Sequence, residues 1–163
     1  MKISPMAAFG LVACVVLSVV YAQAASDSKF KKENFNYSEW AKGRFSEAVT
    51  VTNPQRFIYL AGVGAEDEAA AAGKVRNTDD VYAQCKYAWD KIKRTLDKQN
   101  AALTDIVKVT TYVTDMRSRD DVGKCRSEVF GSLPLPAHTL VGVTALAWPG
   151  MMVEVDVTAV KGN

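Results

Sequence analysis

Between Asp105 and Asp115 the side chains alternate without a break. Val107, Val109, Thr111 and Val113 share one face of an extended chain; Ile106, Lys108, Thr110, Tyr112 and Thr114 share the other. Alternation carried by β-branched residues predicts a strand. The scarcity of charge on either face predicts a central one. Upstream, Phe45 to Thr52 and Phe57 to Ala61 read as two strands joined at the turn Asn53-Pro54-Gln55, hence a hairpin. Downstream, His138 to Leu146 places Thr139, Val141, Val143 and Ala145 on one face. After the turn Trp148-Pro149-Gly150, the last strand runs from Met151 to Val160, with Met151, Val153, Val155, Val157 and Ala159 inward and Glu154, Asp156 and Thr158 outward.

Two segments change to the helical period. Val81, Cys85, Ala88, Trp89, Ile92 and Leu96 mark an amphipathic helix that Asn77 or Thr78 can cap and that ends near Gln99. Val122, Cys125 and Val129 mark a second, capped by Ser118 and closed by Gly131. Arg126 is assigned to its exposed side. Ser26 to Lys42 has no clear period and reads as an irregular arm. Gly62 to Arg76 reads as a loop rich in Gly, Ala and acid, with at most one helical turn at Ala69 to Ala72. The order is β-β-α-β-α-β-β, an α+β chain with two helices on one face of a mixed sheet. The uncovered face then meets solvent or another subunit.

Composition adds limits. The 163 residues make one domain, 43–163, behind an arm, 25–42, and a leader, 1–24. Lys2 is the only charge before Asp27, Met6 to Val20 is apolar, and Ala22-Gln23-Ala24 is a small-x-small cleavage site, so a signal peptide cut after Ala24 is expected. The apolar run falls short of the roughly 18 to 20 residues that cross a bilayer. A retained anchor, and a lipoprotein box at Leu11-Val12-Ala13-Cys14, are the alternatives. The mature chain is then secreted or periplasmic, with no membrane attachment. With 20 Lys and Arg against 18 Asp and Glu, the net charge of +2 and the lack of a basic stripe give no nucleic-acid surface. Lys29, Lys31 and Lys32 read as a solvated run.

Export leaves Cys85 and Cys125. The reading taken is two small buried core residues, with a disulfide as the alternative in an oxidising compartment. One histidine and two helical cysteines do not form a zinc site. No phosphate loop, dinucleotide fingerprint or nucleophile elbow is present, and no cofactor is expected.

The element order, the segment Asp105-Ile106-Val107-Lys108, the runs Tyr112-Val113-Thr114-Asp115 and Pro136-Ala137-His138-Thr139-Leu140-Val141, and the closing Pro149-Gly150-Met151-Met152-Val153-Glu154-Val155 resemble the Rid/YjgF family of reactive-intermediate deaminases. The resemblance spans roughly Gly43 to Val160. It implies a chorismate-mutase-like fold, a homotrimer with clefts between subunits, and hydrolysis of 2-imino or enamine acids to 2-oxo acids and ammonia without metal or cofactor. It also implies an arginine fork for the substrate carboxylate, a glutamate that positions water, and a tyrosine after Gly-Pro that lines the cleft. Glu154 matches the glutamate. His138 stands at the arginine position, and Phe45 at the tyrosine position after Gly43-Arg44. Losing a buried bidentate grip costs on the order of 2 to 4 kcal/mol.

Two functions follow. In the first, an imine or enamine deaminase, Glu154 and His138 are catalytic: Glu154 orients water and His138 polarises or binds substrate. Phe45 and Arg44 complete the substrate site, Arg44 being the candidate to replace the missing guanidinium. In the second, a trimeric small-molecule-binding protein has kept the cleft and lost deamination. A protonated His138 would make anion affinity rise below about pH 6.5 in either.

Overall fold

The computed structural model describes residues 29–71 and 73–162; the expected leader lies outside them. Four strands form one sheet in the order β3-β6-β4-β5. They are β3 (Arg56–Tyr59), β4 (Ile106–Val113), β5 (Ala137–Gly142) and β6 (Val153–Lys161), with β5 parallel and β6 antiparallel to β4. β4 is central, as its uncharged faces predict. The helices α1 (Val81–Lys98) and α2 (Arg119–Phe130) lie on one side of the sheet.

The expected hairpin does not form. β2 (Ala48–Thr52) pairs instead with β1 (Lys31–Phe35), which falls in the arm read as irregular. β3 turns away after Asn53, whose φ of 52° is left-handed, and pairs with β6. The physical reason is burial. Ile58 enters the core against β6, whereas all but Val49 and Val51 of β2 stay exposed. β1 has little strand propensity beyond Phe35, and its partner decides its conformation. Side chains then fasten the arm. Lys32 Nζ donates to the carbonyls of Thr104 and Ile106, the latter at 2.9 Å, so this lysine is half-buried and not part of a solvated run. Asn34 Nδ2 donates to Ser46 Oγ at 3.0 Å and to the Leu135 carbonyl at 2.8 Å.

A bulge near Ile106 and Lys108 interrupts the pairing of β4 with β6. It brings Ile106 into the core with Val109, Thr111 and Val113 and leaves Val107 half-buried, which corrects the unbroken alternation read from the sequence. The helices keep their predicted apolar stripes, every member of which is buried. α1 starts later than expected. Asn77 has a left-handed φ of 54°, and Asp80 is the cap, its carboxylate accepting from Ala83 N at 2.9 Å. Gln84, fully buried on α1, donates to the carbonyls of Asn77 and Gly150 and accepts from Met152 N, which pins the start of β6 to the helix. Ser118 occupies the cap position of α2, but its side chain makes no capping bond.

Cys85 and Cys125 are bonded to each other and join α1 to α2 across a Cα separation of 6.3 Å. This corrects the reading of two independent core thiols. Both cysteines fall on the facing stripes of two packed helices, a proximity that spacing along the chain does not reveal. Trp89 and Phe130 meet edge-to-face beside them at 5.3 Å. The bond closes a loop of 40 residues, for which restriction of the unfolded chain stabilises the fold by on the order of 2 to 4 kcal/mol. Denaturant unfolding with and without a thiol reductant, compared with the Cys85→Ala/Cys125→Ala double variant, is expected to show a loss of that size. An unchanged midpoint on reduction would show that packing alone holds the helices.

Candidate functional site

A cleft of about 600 Å³ opens between α2, β5 and the loop from Trp40 to Phe45. Three elements build it. The loop turns at Gly43, whose φ of 73° suits glycine, and its backbone is held as Arg44 N and Phe45 N both donate to the Ala41 carbonyl. Phe45 then packs edge-to-face on Trp40 at 5.6 Å, and the Arg44 guanidinium lies 5.0 Å above the Trp40 ring. α2 contributes Val122 and Arg126, and β5 contributes His138 and Leu140.

His138 pairs with Val109 across the parallel ladder and therefore faces the helices. Its Nε2 lies 3.0 Å from the hydroxyl of Thr111, a side chain that would otherwise be an unsatisfied polar group in the core. Burial, with the nearby charges of Arg126 and Lys108, pulls the imidazole from 6.5 down to about 3. His138 is thus neutral at physiological pH. It cannot stand in for a cationic grip, and protonation near pH 6.5 is not available to it.

Arg126, assigned to the exposed side of α2 by sequence reading, points into this cleft and donates from Nη2 to the Arg44 carbonyl at 2.7 Å. Burial lowers its pKa. The signal that could have found it is its spacing: it sits four residues after Val122 and three before Val129, beside the buried stripe. Trp40, read as part of an arm, is the other wall that sequence reasoning missed.

Glu154 is elsewhere. It pairs with Tyr112 and alternates with the buried Val153 and Val155, so it lies on the face away from the helices. Its side chain crosses Gly62 so closely that a Cβ there would sit 2.0 Å from Oε1. Desolvation, then the charges of Glu66 and Asp156, raise its carboxyl above the ordinary range. One chain therefore brings His138, Phe45 and Arg44 together and leaves Glu154 on the opposite face of the sheet. Among the described residues, no three His, Cys, Asp or Glu side chains gather into a metal site, and no helix is long and apolar enough to cross a membrane.

A family model described as endoribonuclease L-PSP matches residues 37–161. The RutC family protein YjgH of Escherichia coli is 31% identical over 125 residues, covering 76% of this chain and 87% of the relative. A solved structure described as a conserved Rid family protein, YyfB from Yersinia pestis, superposes with a TM-score of 0.69 at 24% identity over 80% of this chain and 98% of its own. The chain belongs to the Rid/YjgF family. Another relative, a RutC family protein of Pyrococcus abyssi, is 32% identical over 120 residues, covering 73% of this chain and 87% of its own. The Rid/YjgF architecture of two helices on one face of a mixed sheet is the one described above, and its helix-free face is open in the single chain.

The neutral His138 has a measurable consequence. The unfolded chain takes up a proton there near 6.5, the folded chain only near 3. Between those values unfolding consumes a proton, so stability falls as pH drops, by up to about 1.4 kcal/mol per pH unit, and levels off below the folded value. Unfolding measured from about pH 7 to about pH 5 should show His138→Gln losing less stability than wild type on that scale. Parallel curves would mean that His138 is protonated in the fold.

Proposed function

We propose that this Rid/YjgF protein is an exported hydrolase that deaminates small imine or enamine acids as a homotrimer. In this reading the cleft holding His138, Phe45 and Arg44 in one copy is completed by the Glu154-bearing face of the next. The observation that carries it is Glu154 itself: a partly desolvated carboxylate with a raised pKa, on a sheet face that its own helices leave open. Such a group exchanges protons near neutral pH more readily than a solvated carboxylate. The open face supports assembly, since Phe57 and Tyr59 stack there, 51% and 75% exposed. The leader expected from the sequence of residues 1–24 supports export, and so does the Cys85–Cys125 bond, because disulfides persist in oxidising compartments.

The reaction needs one water and no cofactor. Glu154 accepts a proton from water as its oxygen bonds to the imine carbon, and passes that proton to the nitrogen. It then takes the proton of the new hydroxyl and delivers it to the amine nitrogen as the C–N bond breaks, which regenerates the carboxylate. Ammonia leaves, and a 2-oxo acid remains. The neutral His138 supplies a hydrogen bond rather than charge. Ribonuclease chemistry, which the family description names, is not carried over: the chain's one histidine is half-buried and neutral, so it offers no imidazolium acid.

A second reading rests on the same imidazole. With no cation on β5, the cleft supports a binding protein that has lost deamination. To separate the two, 2-iminopropanoate is generated in situ with an amino-acid oxidase, and residual imine is trapped with semicarbazide. The hydrolase reading expects wild type to speed imine loss and Glu154→Gln to lower kcat by about a hundredfold or more. An inert wild type, with activity gained in His138→Arg, would establish the binding protein instead.

A further inference from the structure

The charges of the cleft do not balance. Arg119 and Asp120 pair with each other at 3.0 Å, and His138 is neutral. That leaves Arg44 and Arg126, neither of which has a carboxylate partner among the described residues. Elsewhere Arg76, Arg94 and Arg117 each hold a carboxylate while standing in water. Arg126 is more withdrawn from solvent than any of these. A guanidinium stays protonated at neutral pH, and a half-buried charge without a counter-ion is less well solvated than an exposed one. Of its five N–H groups, the described contacts occupy one, on the Arg44 carbonyl. Trp40, Phe45, Val122 and Leu140 surround the two guanidiniums with apolar and aromatic surface. A small anion with an apolar body suits this combination of a planar donor fork and apolar walls.

We infer that Arg126, assisted by Arg44, is the carboxylate-binding element of the cleft, a guanidinium delivered from α2 to a site where β5 presents a histidine. The ligand class is a small 2-oxo or 2-imino carboxylate. The inference rests on the hydrolase reading for the 2-oxo and 2-imino part alone; the anion site stands on the two unpaired guanidiniums. Trp40 braces Arg44 through its ring face, and the Arg44 carbonyl braces Arg126, so the two act as one unit. Arg126→Lys would keep the charge and lose the fork, because an ammonium cannot reproduce two parallel N–H bonds.

Calorimetric titration of the full protein with 2-oxobutanoate, acetate and inorganic phosphate tests this, with Arg117→Gln as the control for an exposed arginine. Wild type and Arg117→Gln are expected to bind 2-oxobutanoate alike. Arg126→Gln should weaken binding about tenfold or more, and Arg126→Lys or Arg44→Gln by less. Thermal melts establish that each variant folds; if Arg126→Gln does not, Arg126→Lys and Arg44→Gln carry the test. Wild-type affinity in Arg126→Gln, or no binding by wild type, overturns the inference. Arg126-dependent binding of phosphate but not of 2-oxobutanoate overturns the ligand class. Arg126-dependent binding of 2-oxobutanoate without imine hydrolysis upholds the inference and sinks the hydrolase reading. Imine hydrolysis with an unchanged KM in Arg126→Gln does the reverse.

Discussion

Strand β6 sets the sides of this molecule. Val153, Val155, Val157 and Ala159 are buried beneath the helices, and Glu154, Asp156 and Thr158 alternate away from them. Because β6 lies between β3 and β4, its pleat fixes the phase of both neighbours, and β4 passes that phase to β5. A one-residue slip would move Glu154 into the core and Val153 and Val155 out of it. The apolar area at stake makes that slip prohibitive, so the opposition of His138 and Glu154 is a consequence of the core rather than an accident of the loops.

The helix layer depends on the same face. α1 packs on β6 through Val81, Cys85, Ala88, Trp89, Ile92 and Leu96, and α2 joins it through the Cys85–Cys125 bond and the Trp89–Phe130 contact. With α2 held in this way, Arg126 arrives beside His138 at the sheet's outer strand. The arm closes the third side. Ser46 bridges to Ala137, and its N–H donates to the Pro136 carbonyl at 3.0 Å, which seats the Trp40–Phe45 loop against β5. Cleft geometry thus follows from apolar packing, one disulfide and backbone hydrogen bonding together.

Thr111 links the core to the chemistry. A threonine pointing inward on a central strand needs a partner, and the only histidine of the chain provides it. Burial, with the nearby charges of Arg126 and Lys108, keeps the imidazole neutral. The charge in the cleft then comes from α2 and the loop, and a ligand's carboxylate would meet a fork rather than a ring nitrogen.

Local patterns in the sequence were enough for the helices, the central strand, the inward face of β6 and the family, because each is a periodicity or a motif held within a few residues. Glu154, His138, Phe45 and Arg44 were legible as site candidates on motif position alone. Other features were decided only by the tertiary structure. They include the pairing of β1 with β2 in place of the hairpin, the bulge that brings Ile106 inward, the disulfide, the neutral state of His138 and the inward turn of Arg126. Each depends on a partner remote in sequence: Lys31 on Thr52, Ile106 on Ala159, Cys85 on Cys125, His138 on Arg126 and Lys108, Arg126 on Arg44. Periodicity records which face of an element is apolar. Which element that face meets, and what charge survives where they meet, is settled by packing and desolvation once the sheet has formed.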